Sequence, residues 1–186
     1  MGTRGIYGFK KNNEYKVTYS HCDSYPSWLG EKIVEYIKSH LIEEMNEVYE
    51  RIILIEEDFK IESLSKEQIE KYKRILNKDE LIEEDMYYLL CHNKLNLRKY
   101  DNKEIDLMVN SFDFIQDIFC IWGYIINLDE NILEIWGENK EKLKKRNKYK
   151  IKEEYYLCEK IKEIKIEEIK KENFSLKKVL KNIYRR

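Results

Sequence analysis

Arg4, Tyr19, His21, Asp23 and Tyr25 are the residues of this chain whose types and spacing best suit ligand chemistry. An arginine offers a forked donor for phosphate or carboxylate. Tyr19 and Tyr25 supply flat faces for stacking and hydroxyls for hydrogen bonds. Asp23 can accept from a ribose hydroxyl or hold Arg4 in place, and His21 can assist either task. Thr3 and Ser24 add hydroxyls beside them, and Trp122 could wall a pocket over a base. Thr3, Arg4, Tyr19, His21, Asp23, Ser24, Tyr25 and Trp122 together suit an anionic, ring-bearing molecule such as a nucleotide. A purely architectural use of the same residues is equally simple. Asp23-Ser24 can form an Asx-turn that caps a following helix, and Arg4 with Asp23 can be an internal ion pair.

Catalytic arrangements are weaker. Thr3 could act as an amino-terminal nucleophile only after loss of both Met1 and Gly2. Cys22 and His21 are adjacent in a strand-like segment, so their side chains should point to opposite faces. His21 and Asp23 share a face but are too few to hold a metal, and His40 and His92 offer no matching geometry. Cys22, Cys91, Cys120 and Cys158 are scattered, with no Cys-x-x-Cys pair, and read as reduced thiols. No cofactor and no metal are expected.

The elements that must position these residues are legible in part. Residues 5–10 and 14–21 read as strands around Lys11-Asn12-Asn13, a β-hairpin whose open ends bring Arg4 and His21 together. Tyr15, Val17, Tyr19 and His21 alternate with Lys16, Thr18 and Ser20, the period of a half-buried strand. Pro26, the only proline, ends the strand and pushes Tyr25 into extended geometry. Ser27 can cap a helix running to about residue 50, carried by Leu29, Ile33, Ile37, Leu41, Met45 and Val48.

Ser65-x-x-Gln68 and Asn77-x-x-Glu80 resemble capping boxes that open helices near 65–76 and 79–91. A shorter helix is expected near 103–110. Residues 117–137 read as a second hairpin, its first strand (Ile118 to Ile126) apolar enough to be buried on both faces. Residues 155–169 could be strand or helix, and Ser175 to Tyr184 reads as a terminal helix. The expectation is one α+β domain over residues 1–186, with the two hairpins pairing into an antiparallel sheet under several helices.

Composition excludes several classes. At 186 residues the chain can bury a sizeable core, and 42% hydrophobic residues with 13% aromatics argue against disorder despite 38% charge. No apolar run reaches the roughly 20 residues of a membrane span, and no signal peptide opens the chain, so a cytoplasmic protein is expected. The net charge of −1 hides a polarity: the last 49 residues carry 18 basic and 9 acidic side chains. That excess peaks in the segment 140–152, which reads as a solvated face or loop, with nucleic-acid binding unlikely to be its role. A homo-oligomer remains open, because the first hairpin could pair between subunits.

Two blocks resemble a family of small uncharacterised proteins from phages, bacteria and some eukaryotic genomes. One is Gly2-Thr3-Arg4-Gly5 with Gly8-Phe9, followed by Tyr19, His21, Asp23-Ser24-Tyr25-Pro26 and Leu29-Gly30. The other is Trp122, Tyr124 and Ile126-Asn127-Leu128-Asp129 with Leu133-Glu134. The resemblance implies a shared module and brings no established activity with it. A phage setting suggests a sponge that sequesters a nucleotide-like signal of host defence. The alternatives are a hydrolase using Thr3 or the His21/Asp23 edge, and a protein-binding inhibitor of a host defence factor.

Overall fold

The computed structural model describes residues 2–92, 97–101, 103–117, 119–138 and 158–184. Strand β1 (Arg4–Lys11) turns through Asn12 and Asn13 into β2 (Glu14–Ser20). Both asparagines have left-handed backbones, φ 52° and 62°. Two such residues make the hairpin turn whose twist matches that of the strands. The second hairpin is formed by β5 (Cys120–Asn127) and β6 (Ile132–Glu138). Asn127 Oδ1 accepts from the amides of Asp129 and Glu130 at its turn, and Asp129 Oδ1 accepts from the Asn12 amide, tying the two turns together.

The fold is α+β, as expected, with a largely antiparallel five-stranded sheet in the order β2-β1-β5-β6-β7, where β7 is Cys158–Lys165. The joint between the hairpins differs from expectation: β1 pairs with β5 in parallel. A tight turn forces its two strands antiparallel, but a connection as long as the one between β1 and β5 carries no such constraint. The register shifts between Arg4 and Gly5, so Arg4 pairs Cys120 while Gly5 pairs Trp122. Gly5 is needed there: a Cβ on it would lie 2.2 Å from the Trp122 carbonyl oxygen. β5 is the central strand and is buried on both faces, as its composition requires.

One sheet face carries the main core. Tyr7, Phe9, Trp122, Tyr124, Leu133 and Ile135 pack there against α1 (Glu31–Ser39), α2 (Ile42–Arg51), α5 (Ile166–Ile169) and α6 (Leu176–Tyr184). The other face buries Ile6, Val17, Ile125 and Cys120 under Ile115 from the short helical turn Phe112–Gln116. A separate apolar cluster joins α3 (Lys66–Leu76), α4 (Glu83–Tyr87) and a small parallel sheet of β3 (Ile53–Ile55) and β4 (Leu107–Val109). No helix among the described residues is long and apolar enough to cross a membrane.

Several local expectations need correction. The single helix expected to run from Ser27 to residue 50 is broken. Pro26–Gly30 forms one wide helical turn in which Ser27 makes no cap, and α1 ends at Ser39. His40 is extended, and the Ser39 hydroxyl and His40 Nδ1–H both donate to the Tyr36 carbonyl, satisfying the end of α1. Glu44 then accepts from the Leu41 amide and opens α2. Ser65 and Gln68 form the expected capping box. Asn77 instead closes α3 in a left-handed conformation, φ 53°, a task asparagine performs well, and the next helix begins only at Glu83. The helix expected near 103–110 is replaced by strand β4. Residues 158–169 are strand and then helix, and the basic segment 140–152 lies outside the described residues.

Candidate functional site

The end of β2 is fastened to the start of β1 by one residue. Ser24 donates twice to the Thr3 carbonyl, from its amide at 3.1 Å and its hydroxyl at 3.0 Å. Its own carbonyl accepts from Tyr124 Oη–H at 3.0 Å. Asp23 makes the bend with φ 56°, which aspartate tolerates better than most residues. Its carbonyl accepts from the Leu29 amide. Tyr25 has φ −58° and ψ 151°, the extended geometry that Pro26 imposes.

Strand alternation now sorts the eight expected residues. Arg4, Tyr19 and His21 meet in one cleft of about 790 Å³ on the face opposite the main core. Thr3 and Ser24 are buried fastening residues, Thr3 being only 7% exposed. Asp23 and Tyr25 are exposed and do not line the cleft. Trp122 lies on the other sheet face, 7% exposed and stacked parallel to Tyr124 in the core, so it is no wall of this cleft. Among the described residues Arg4 and Asp23 form no ion pair, which removes the simplest architectural use of that arginine.

Inside the cleft the aromatic rings brace one another. Tyr19 sits edge-on to Phe114 with centroids 4.8 Å apart, and its hydroxyl lies 3.4 Å from His21 Nδ1. The Arg4 guanidinium lies over the exposed Phe119 ring, 5.3 Å from its centroid. Burial raises the phenols of Tyr19 and Tyr87 above the ordinary tyrosine value. Arg4 opposes the shift at Tyr19, and Cys91 and Glu57 add to it at Tyr87. Burial also raises the Cys91 thiol to about 11, which makes it a poor nucleophile at neutral pH.

The other half of the cleft was not foreseen from sequence. Glu56 and Glu57 follow β3, Tyr87 and Cys91 come from α4 and the turn after it, and Asn110 to Asp117 follow β4. Glu56 and Glu57 lie in the loop after β3 and line the cleft with Tyr19 of β2. Among the described residues, four carboxylates, Glu56, Glu57, Asp113 and Asp117, share the lining with one guanidinium, that of Arg4. Asn110 Nδ2–H donates to Glu56, and Asp117 accepts from the Phe119 amide. Among the described residues, Glu57 and Asp113 make no hydrogen bond or ion pair.

Thr3 is ill placed as a nucleophile, being buried with its carbonyl engaged by Ser24. His21 lines the cleft, and Asp23 is not among its described lining residues. Comparison with protein-family models, curated proteins and solved structures finds no match to this chain. The resemblance in the two sequence blocks thus rests on those residues alone.

Proposed function

We propose that the chain is a small-ligand-binding protein whose site is the cleft between the open end of the first hairpin and the segments 56–57, 87–91 and 109–117. The observation that carries this reading is the cleft itself. Its volume of about 790 Å³ falls in the range of small-molecule sites. Its aromatic walls and charged groups converge from elements far apart in sequence. Tyr19, Tyr87 and Phe114 favour a ligand with a flat ring. Among the described residues of the cleft, burial raises the Cys91 thiol to about 11, which suits a binding role better than nucleophilic chemistry.

The test is native mass spectrometry of the full chain with a panel of nucleosides, nucleotides and organic amines, followed by amide chemical-shift mapping of each hit. Support would be an unaltered ligand whose shifts cluster at Tyr19, Tyr87, Asn110 and Ser111. Shifts confined elsewhere, or no member retained, would overturn the reading. A ligand returned chemically changed would replace it with the hydrolase alternative.

A further inference from the structure

Resting on that reading, we infer that the ligand is a polyatomic organic cation, an ammonium or guanidinium group carried on a flat or apolar body. Among the described lining residues four carboxylates face one guanidinium, a balance that favours positive charge in a ligand. A phosphate-bearing ligand would bring more negative charge against that balance, which Arg4 would have to offset. Among the described residues no hydrogen bond or ion pair engages the Glu57 or Asp113 carboxylate, and Glu57 acts electrostatically on Tyr87 and Cys91 in the same cleft. The carboxylates come from two separate segments, one after β3 and one after β4, so they can grip a cation from more than one side.

The rings strengthen this reading. Tyr19, Tyr87 and Phe114 line the cleft, and aromatic rings attract cations over their faces while carboxylates neutralise them from the side. A bare metal ion fits less well. Among the described residues no three His, Cys, Asp or Glu side chains come together in a way that could hold one. Carboxylates spread around a cleft of this volume suit an extended cation better than a point charge. Arg4, leaning over Phe119 at 5.3 Å, then becomes the repulsive element, which selects for ligands whose cationic end lies away from it.

The experiment is isothermal titration of the full chain with tyramine, agmatine, spermidine and guanosine monophosphate, repeated on three variants. At least one of the three cations should bind saturably and more tightly than the nucleotide, with affinity falling as salt rises. The double variant Glu57→Gln/Asp113→Asn should weaken that binding roughly tenfold or more, with an unchanged melting temperature. Arg4→Ala removes the repulsive charge and should tighten cation binding.

Nucleotide binding that Arg4→Ala abolishes, with no cation bound, would overturn the charge inference and leave the small-ligand reading standing. Cation binding indifferent to the carboxylate double variant would also overturn it. A repeat with Asp117→Asn in place of the double variant checks that the remaining cleft charge is not carrying the effect. If none of these ligands binds while a neutral ligand maps to the cleft, only the inference falls. If nothing maps to the cleft, both fall.

Discussion

Ser24 holds Thr3 by two hydrogen bonds to a single carbonyl oxygen, one from its amide and one from its hydroxyl, at 3.1 and 3.0 Å. A Cβ on the neighbouring Gly5 would lie only 2.8 Å from Ser24 Cβ, so the two residues meet without room to spare. This contact fixes where β1 begins at Arg4 and where the chain turns away after β2 ends at Ser20.

Ser24→Ala removes the hydroxyl donor and leaves the amide bond in place. The expected loss is about 1 kcal/mol, the usual value of one hydrogen bond to a buried acceptor. Urea unfolding measures it directly. A change below about 0.3 kcal/mol would show that the amide alone satisfies Thr3.

Glu134 carries a larger stake. It is 1% exposed and accepts from Asn127 Nδ2 at 2.9 Å and Trp136 Nε1 at 3.2 Å, with Lys160 Nζ 3.6 Å away. Glu134→Ala strands the Asn127 and Trp136 donors and leaves Lys160 with Glu163 alone. A loss of about 2–4 kcal/mol is expected in denaturant unfolding. Exchanging Lys160 for Met in the same background should then cost little, because the cation has already lost its buried partner. A full additive loss would show that Lys160 works through Glu163 instead.

Lys99 sets a dependence on pH. Its ammonium donates to the Leu90 carbonyl and lies over the Tyr100 ring. Burial lowers its pKa from 10.5 to about 7, with Cys91 opposing the shift. The folded chain therefore releases this proton before the unfolded chain does. Its contribution to stability is fully present above 10.5 and is lost as pH falls toward about 7. Between pH 7 and 9 the protein should gain stability with rising pH, at a slope of up to about 1.4 kcal/mol per unit. Melting temperatures across that window, compared with those of Lys99→Met, check this. An equal slope in the variant would assign it to other groups.

The first hairpin, its asparagine turn, the Ser65 capping box and the terminal helix were all legible because each depends on neighbours within a few residues. The parallel joint of β1 with β5 was not, since nothing in either strand states which way its distant partner runs. Asn77 shows the limit of local signals: the residue type that opens a helix by side-chain capping also ends one by turning left-handed. The site divides the same way. Arg4, Tyr19 and His21 were found because strand alternation puts them on one face. Trp122 could be core or a pocket wall from sequence alone, and the register of β5 against β1 turns it to the core face. Glu57, Asp113 and Phe114 join the cleft only through tertiary packing, and the carboxylates that line it carry no periodic mark.

Ser24 and Tyr124, joined by a hydrogen bond, are separated by 100 residues. During synthesis the edge of β1 that will meet β5 is made long before its partner leaves the ribosome. That edge carries Ile6, Tyr7 and Phe9, all destined for full burial. Until β5 emerges it is an open template on which another nascent chain could pair. Gly5 and Gly8 interrupt the stretch and weaken it as a strand on its own, so the residues that permit the finished close approach also blunt its adhesiveness during the wait.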